Sequence, residues 1–345
     1  MKSKLGVAIA AGTAVGAGLA LRGRRRDDSD GALYQRRTAS TARRVGIHEV
    51  VLPIAYHRSD SAFAIFSANE DAVREILPSP LLHPVRLRPG RCAFGVFALR
   101  HHEASVAGPD GQVFLAHPYG EVVIGPLVSE SAMPAAVPFA GLFSSKVGIF
   151  VMHMPVTTRQ ARDLGRVLWG YNKFVADMEF NEDAFANSVV VSEAGSEILR
   201  LETPGRGRVR RVVEDNVLYS VLDGKLLRTS CPTIGYARRS LGGGGVVALG
   251  AHSVGRDLQQ LAISSRSLAV QTMVHQRLLL PDGSPIGDAR AGDGFGGRDR
   301  EFGEYAVTHH DFGRIDLNTS LPEPLPGSGA WSANTEDRTL ATASS

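Results

Sequence analysis

The stretch GRVLWGYNKF (residues 165–174) contains the first candidate for chemistry in this sequence, a lysine. The chain has thirty-three arginines but only five lysines, at positions 2, 4, 146, 173 and 225. Arginine stays protonated in proteins, whereas lysine becomes a neutral nucleophilic amine in suitable surroundings. Trp169, Tyr171 and Phe174 lie within four residues of Lys173 and offer apolar surroundings. Lys173 is therefore a candidate nucleophile toward a carbonyl carbon.

Such an amine must be largely neutral near pH 7 to form a Schiff base. This requires a pKa about three units below the usual value of about 10.4, or roughly 4 kcal/mol of differential solvation. Burial among aromatic side chains can supply that difference. The alternative interpretation is a surface or snorkelling lysine at a helix end, where the helix dipole favours a cation. Composition alone leaves both interpretations open.

The helix that would position this lysine is predicted over residues 157–170. Thr157 and Gln160 have the spacing of a capping box, and Gly170 suits the position just after a helix. The apolar stripe between them consists of Ala161, Leu164, Val167 and Leu168. Lys173 is thus expected at a fixed junction between a helix and a strand. A second helix is predicted over residues 69–77, with Asn69 as its N-cap.

Short apolar runs bounded by Gly, Pro and Asp dominate the rest of the chain. Their β-branched and aromatic content predicts many strands, mostly antiparallel, and few helices. The runs cover residues 62–66, 91–99, 121–128, 147–156, 187–193, 197–203, 216–222 and 267–280. The expected fold class is therefore mainly β (α+β).

Composition excludes several classes of protein. With 345 residues and 43% apolar residues, the chain can bury a core. A net charge of +3 spread along the sequence does not favour a nucleic-acid partner. Cys92 and Cys231 are far apart and lie in no CxxC pattern, so we expect neither a disulfide framework nor a zinc site. No metal or cofactor is expected, and no serine lies in a GxSxG elbow.

The two ends of the chain differ from its middle. Residues 5–21 form an uncharged run between lysines and RGRRR, about 25 Å long as a helix against a bilayer core of about 30 Å. The predicted organisation is a membrane anchor or signal-like helix over 1–21, a polar linker over 22–46, a folded domain over 47–317 and a disordered tail over 318–345. The excess of arginines after the run favours a single-pass protein with a cytoplasmic domain, with export as the alternative.

Three ordered stretches resemble the acetoacetate decarboxylase family. GRVLWGYNK (165–173) resembles its Schiff-base segment, ANEDAVREILPSPL (68–81) its early helix and Pro-x-Pro turn, and YGEVVIGPLV (119–128) the strand that carries tyrosine-x-glutamate. Residues 175–305 resemble the second half of the family with weaker signatures. The resemblance implies a large antiparallel β assembly built around a cone-shaped barrel, and a homo-oligomer.

The resemblance also implies roles for individual residues. Lys173 would be the Schiff-base lysine, and Glu121 the carboxylate that orients the amine or exchanges protons with it. The substrate pocket would include Tyr119, Trp169, Tyr171, Phe174 and Arg58. The implied partner is a small-molecule keto acid.

The sequence departs from the family pattern at four positions. Phe174 stands where a second lysine is usual, and Asn172 where a proline is common. Arg58 is offset by about two residues from the expected pocket arginine, and Gly95 falls at or near the position of a second pocket glutamate. Two hypotheses therefore remain open. One is a decarboxylase or related lyase for a keto acid other than, or larger than, acetoacetate; the other is a noncatalytic, membrane-associated binder of a hydrophobic ligand.

Overall fold

The fold was analysed on a computed structural model that describes residues 40–45, 48–109, 111, 113–133, 145–182, 186–205 and 207–289. Those ranges contain three helices, α1 (Glu70–Ile76), α2 (Arg159–Trp169) and α3 (Ser253–Gln260). They also contain eighteen strands, which in chain order are β1 (Thr41–Val45), β2 (His48–Asn69), β3 (His83–Pro84), β4 (Arg86–Arg88), β5 (Arg91–Ala107), β6 (Val113–Ala116), β7 (Tyr119–Ser129), β8 (Gly148–Phe150), β9 (Met154–Val156), β10 (Lys173–Val175), β11 (Asp177–Glu182), β12 (Ala186–Glu193), β13 (Ser196–Pro204), β14 (Arg210–Leu222), β15 (Lys225–Leu241), β16 (Val246–Leu249), β17 (Ala269–Leu280) and β18 (Ser284–Asp288). The expectation of a mainly β fold with few helices is confirmed.

The larger sheet closes on itself. Its hydrogen-bonded path runs β7-β8-β14-β15-β17-β2-β5, and β5 pairs in turn with β7, so these seven strands form a ring. Strands β9 and β10 extend the sheet from β7. All pairings between described strands are antiparallel except β9 with β10 and β8 with β14. The cone shape and the homo-oligomer that the resemblance implies stay predictions.

A second sheet of four strands, β11-β12-β13-β16, packs against the outside of the ring. Side chains alternate between two hydrophobic cores, because successive residues of a strand point to opposite faces. We call the core inside the ring the ring core; on β7 it receives Val123 and Leu127. We call the core between the two sheets the inter-sheet core; on β7 it receives Val122 and Ile124. Strand β7 is therefore covered on both faces.

Local patterns in the sequence predicted most of these helices and strands. Each of the eight apolar runs contains all or part of a strand, and residues 147–156 divide between β8 and β9. Strand β15, which has seventeen residues, and helix α3 were not predicted. Asn69 caps α1 as predicted, with its side chain accepting a hydrogen bond from the Ala72 N–H at 3.0 Å.

The predicted capping box of α2 is wrong by one residue. Thr158 is the N-cap, and its side chain accepts a hydrogen bond from the Ala161 N–H. The hydroxyl of Thr157 instead accepts a hydrogen bond from the Gly120 N–H of β7, at 2.9 Å. The Thr157 hydroxyl, which the local pattern assigned to the helix N-terminus, is therefore bonded to the backbone of β7 instead.

The predicted membrane anchoring is not upheld. Within the ranges that the structure describes, no helix is both long enough and apolar enough to cross a bilayer. This finding overturns the expected localisation as a single-pass anchored protein, and with it the membrane partner. Residues 5–21, on which that expectation was based, lie outside the described residues, as do the predicted tail over 318–345 and most of the linker over 22–46.

Candidate active site

Lys173 is held at the junction between α2 and β10. Helix α2 ends at Gly170, which adopts the left-handed conformation at φ 65°, and Lys173 is the first residue of β10. The Nε of Arg166 donates a hydrogen bond to the Lys173 carbonyl oxygen at 2.6 Å. The Nδ2 of Asn172 donates one to the Met152 carbonyl oxygen at 2.9 Å. The backbone of the lysine is thus tied to both neighbouring elements.

Gly165 makes room for the lysine side chain. A Cβ placed on Gly165 would lie 2.4 Å from Lys173 Cδ and 2.6 Å from Lys173 Cε, closer than real contacts allow. The side chain of Lys173 therefore lies directly against the helix backbone at this position. The GR pair of the sequence motif has a structural meaning, because Gly165 admits the lysine side chain and Arg166 anchors its carbonyl group.

The Lys173 amine reaches Glu121 in the interior of the ring. Its Nζ donates a hydrogen bond to Glu121 Oε2 at 2.5 Å. Lys173 is 3% exposed and Glu121 is 8% exposed, so the pair is almost fully removed from solvent. Glu121 is directed there because it alternates with Val122 on β7 and shares the face of Tyr119 and Val123. The snorkelling interpretation of Lys173 does not agree with this burial.

Two small cavities adjoin the amine. The inner cavity, of about 40 Å³, lies toward the ring core and is bordered by Glu121, Tyr171 and several apolar side chains. The outer cavity, of about 30 Å³, lies toward α2. Lys173, Tyr56 and Leu280 border both and separate them. Each cavity has room for only two or three water molecules, so a substrate larger than that requires movement of these side chains.

A buried cluster of aromatic and hydroxyl groups borders the pair. The hydroxyl groups of Tyr56 and Tyr119 are hydrogen-bonded at 2.8 Å. The His101 ring lies beside both, with centroids 4.3 Å from Tyr56 and 4.7 Å from Tyr119. Its Nδ1 is hydrogen-bonded to Ser59 Oγ at 2.8 Å, whereas its buried Nε2 has no partner among the described residues. The cluster offers polar atoms next to Lys173 without adding a charge.

Burial determines the protonation of this cluster. Desolvation lowers the pKa of His101 from 6.5 to about 4; the charge of Glu121 opposes this shift and that of Lys173 adds to it. Desolvation also raises the pKa values of Tyr56 and Tyr119, and the charge of Glu121 raises both further. At neutral pH the imidazole and both phenols are therefore uncharged, which leaves Lys173 and Glu121 as the ionisable pair of the site.

The structure brings three of the five expected pocket residues to Lys173. Tyr119 and Trp169 border the outer cavity, and Tyr171 borders the inner one. The Tyr171 ring centroid is 5.9 Å from Lys173 Nζ, and the ring stacks on Trp169 at an interplanar angle of 10°. The Nε1 of Trp169 donates a hydrogen bond to the Pro281 carbonyl oxygen at 2.8 Å. These aromatic side chains form a rigid wall beside the amine.

The other two expected residues lie elsewhere. Phe174 follows Lys173 in β10 and points to the opposite face, into the inter-sheet core. Arg58 is exposed on β2, and it borders neither cavity. Strand alternation explains Phe174. For Arg58, regular alternation would give the face of Tyr56, but the pairing of β2 with β5 shifts register on both sides of Arg58, and its side chain lies at the surface.

Sequence reasoning missed Tyr56, His101 and Leu280. The signal for Tyr56 was its alternation with Leu52 and Ile54, which face the same core. Consecutive residues of a strand face opposite ways, and so do His101 and His102. His101 is buried beside Tyr56, whereas His102 pairs with Asp60 on the other face at 2.8 Å. Only the fold shows which of the two histidines faces the lysine.

Comparison with known proteins agrees with this geometry. The family model described as acetoacetate decarboxylase matches residues 48–284. The chain belongs to the acetoacetate decarboxylase family. A search among curated proteins found no match to the sequence. The family assignment covers both Glu121 and Lys173, and it gives no support to the alternative of a membrane-associated binder.

Solved structures of acetoacetate decarboxylases share the fold. The enzyme from Legionella pneumophila subsp. pneumophila str. Philadelphia 1 is 16% identical, with a TM-score of 0.50 over 69% of this chain and 88% of that chain. A second acetoacetate decarboxylase is also 16% identical, with a TM-score of 0.50 over 69% of this chain and 90% of that chain. At this level of identity the likeness concerns the fold alone.

Two positions at which the sequence departs from the acetoacetate decarboxylase pattern, Gly95 and Phe174, are surrounded by apolar side chains. A Cβ on Gly95 would lie 2.8 Å from Phe63 and 2.9 Å from Leu127, so apolar side chains already occupy the space that a larger residue would need. Phe174 is packed in the inter-sheet core, so a charge at its position would not lie on the face of Lys173. In this chain, neither of these two positions places a charged group beside Lys173.

Proposed function

We propose that this protein is a Schiff-base-forming decarboxylase or related lyase that acts on a keto acid other than, or larger than, acetoacetate. Lys173 is the nucleophile and Glu121 exchanges protons with it. The observation that carries this proposal is the 2.5 Å contact between Lys173 Nζ and Glu121 Oε2, buried beside a cavity inside the ring.

The reaction begins with a proton transfer. A proton that moves from the Lys173 ammonium to the Glu121 carboxylate leaves a neutral amine and a neutral acid. Because both groups are buried, neutralising them removes the cost of keeping two charges away from water. The amine nitrogen then attacks the ketone carbon, and the ketone oxygen takes up the proton that Glu121 holds. Loss of water from this adduct gives an iminium.

The iminium accepts the electrons of the bond to carbon dioxide. In a β-keto acid, the bond between the carboxylate and the α-carbon breaks, and its electron pair forms the enamine. Protonation of the enamine carbon and hydrolysis of the new iminium release the ketone and regenerate the amine. Glu121 is the carboxyl group within hydrogen-bond reach of the nitrogen through these steps.

The walls of the inner cavity favour an apolar substrate. Lys173 is its only cationic residue among the described ones, and the other walls are mostly Leu, Val and aromatic side chains. A substrate carboxylate there would be poorly solvated, and its departure as neutral carbon dioxide would remove a charge from an apolar site. Tyr56 borders this cavity, and its hydroxyl, hydrogen-bonded to that of Tyr119, is an uncharged group able to orient a polar atom.

Borohydride trapping tests the nucleophile. The full chain is incubated with a panel of β-keto and α-keto acids of increasing side-chain size, reduced with borohydride and digested for mass spectrometry. We expect an adduct on the peptide that carries Lys173 and none in the matched Lys173→Arg variant, whose guanidinium cannot lose its proton. A folded wild-type protein that acquires no adduct at Lys173 with any member of the panel would rule out the proposal.

Replacement of the carboxylate tests the role of Glu121. We expect Glu121→Gln to lower the rate of carbon dioxide release by about 10²-fold or more, the usual effect of losing a general acid or base. Ser105→Ala, near the outer cavity but without contact to the amine, serves as the matched control. Equal rates for Glu121→Gln and wild type would remove Glu121 from the mechanism and leave the role of Lys173 untouched.

A further inference from the structure

A larger cavity lies between the two sheets, on the opposite side of the ring wall from Lys173. Its volume is about 220 Å³, against about 40 Å³ for the inner cavity. Strands β2, β5, β15 and β17 form its floor, and β11, β12 and β13 form its roof. Ala98 borders this inter-sheet cavity, whereas the next residue, Leu99, borders the inner one. The inter-sheet cavity is therefore separate from the proposed active site.

Small side chains create the space. The pairing of strands places Arg238, Thr272, Ala62 and Ala98 side by side in one row across the floor. Four residues farther along the same face of β2 and β5, Phe66 pairs with Phe94, and both are fully buried in the inter-sheet core. Ala62 and Ala98 are much smaller than Phe66 and Phe94, so the space that the phenylalanines fill nearby stays empty at this row.

The roof of the cavity is apolar at its centre. Phe180, Val189 and Leu201 form one row across β11, β12 and β13, and all three border the cavity. They face the alanines of the floor. A ligand between the sheets would therefore place an apolar body against these three side chains.

One end of the cavity has polar groups without partners. Thr272 is 3% exposed, and its Oγ1 has no hydrogen-bond partner among the described residues. A buried hydroxyl without a partner is costly, so a ligand atom that bonds to it would be favoured. Arg238 lies directly opposite Thr272 on the neighbouring strand, and in the described part of the chain no carboxylate pairs with it. This end of the cavity thus offers two hydrogen-bond donors, the Arg238 guanidinium and the Thr272 hydroxyl.

The acidic residues that border the cavity have basic or backbone N–H neighbours. Asp60 Oδ2 accepts from His102 Nε2 at 2.8 Å, and Asp60 Oδ1 accepts from the His275 N–H at 3.0 Å. Glu182 lies 4.0 Å from Arg100. Of the two arginines that border the cavity, Arg238 is the one without an acidic partner among the described residues. From this arrangement we infer that the inter-sheet cavity binds a small monocarboxylate, with its carboxylate on Arg238 and Thr272 and its apolar body against Phe180, Val189 and Leu201.

Titration with hexanoate, followed by ligand-observed NMR on the full chain, tests the site. Hexanamide, which has the same shape without the charge, is the matched ligand. We expect hexanamide to bind about tenfold more weakly, since hydrogen bonds to charged groups are the stronger ones. Arg238→Gln should weaken hexanoate binding about tenfold, and Thr272→Val should weaken it less. Arg88→Gln, an exposed arginine on β4 outside the cavity, should leave binding unchanged.

The position of the bound ligand decides the outcome. We expect Lys173→Met to bind hexanoate as wild type does, because Lys173 lies on the other side of the ring wall. Three results would overturn the inference: no saturable binding of hexanoate, equal binding by wild type, Arg238→Gln and Thr272→Val, or loss of binding in Lys173→Met. The last result, in a variant that circular dichroism shows to be folded, would assign the ligand to the lysine site. Because Thr272→Val removes only an unpartnered hydroxyl, it should not disturb folding, so the test does not depend on Arg238→Gln alone.

Discussion

Lys173 and Phe174 are consecutive residues of β10, and their side chains lie in two different hydrophobic environments on opposite sides of the strand. The lysine is buried beside Glu121 inside the ring, and the phenylalanine is 2% exposed in the inter-sheet core. The aromatic ring in place of the usual second lysine therefore does not border the amine. Lys173 is surrounded by groups that exclude water rather than by a neighbouring like charge.

Phe174→Lys should destabilise the protein without assisting the amine. It would place an ammonium among the buried apolar side chains of the inter-sheet core. We expect a loss of about 3 kcal/mol or more in the free energy of unfolding, measured by urea denaturation. Phe174→Leu, the apolar control, should cost less, about 1 kcal/mol. If Phe174→Lys were as stable as Phe174→Leu and also trapped keto acids faster, the side-chain directions in β10 would have to be revised.

Gly165→Ala should disturb the site while preserving the helix. Alanine has the higher helix propensity by about 1 kcal/mol, but its Cβ would displace the Lys173 side chain. A shift of about 1 Å in a reacting group can cost roughly 10²-fold in rate, so we expect a loss of this size in the rate of adduct formation. Arg159→Ala, at the exposed start of α2, is the control and should react normally. Circular dichroism should show both variants folded, and a normal rate for Gly165→Ala would show that the lysine does not depend on this contact.

The hydroxyl pair of Tyr56 and Tyr119 should show coupling. Either Tyr→Phe substitution alone leaves the other buried hydroxyl without this bond, at a cost of about 1–3 kcal/mol. Substitution of both removes donor and acceptor together, so the double variant should be less destabilised than the sum of the single ones. A double-mutant cycle from urea denaturation measures the difference, expected near 1 kcal/mol. Strict additivity would mean that the two hydroxyls do not interact in solution.

His101 should make stability depend on pH. Burial keeps the native imidazole neutral down to about pH 4, whereas the unfolded chain protonates it below about 6.5. Between these values the unfolded state holds more protons, so the contribution of His101 to stability falls as the pH falls. The difference amounts to on the order of 3 kcal/mol over the full window.

Comparison of wild type with His101→Asn isolates this contribution. Asparagine does not titrate and can keep a hydrogen bond to Ser59. The free energy of unfolding of the wild type should decrease more steeply than that of the variant between pH 6.5 and pH 4. Glu121, Lys173 and His102 are the charged groups that influence His101, and they are present in both proteins. Parallel pH profiles would indicate that His101 is solvated in the native state.

Local patterns in the sequence were sufficient for the elements and for the first candidate residue. Short apolar runs rich in β-branched and aromatic residues marked the strands, Gly170 marked the end of α2, and the scarcity of lysine drew attention to Lys173. These signals arise from neighbours within a few residues, where backbone geometry and side-chain direction are set locally. Even there, Thr157 was misassigned, because a distant backbone N–H competes for its hydroxyl.

The composition of the site was decided by the tertiary structure. Lys173 meets Glu121 across 52 residues of sequence, and Tyr56 meets Tyr119 across 63. Which face of each strand turns inward depends on closure of the ring, so alternation alone could not predict that Phe174 and Arg58 point away or that His101 points inward. The inter-sheet cavity likewise exists only because strand pairing aligns Ala62 with Ala98 beneath a second sheet. Sequence determined which residues could react or pack, whereas long-range pairing and burial determined which of them meet.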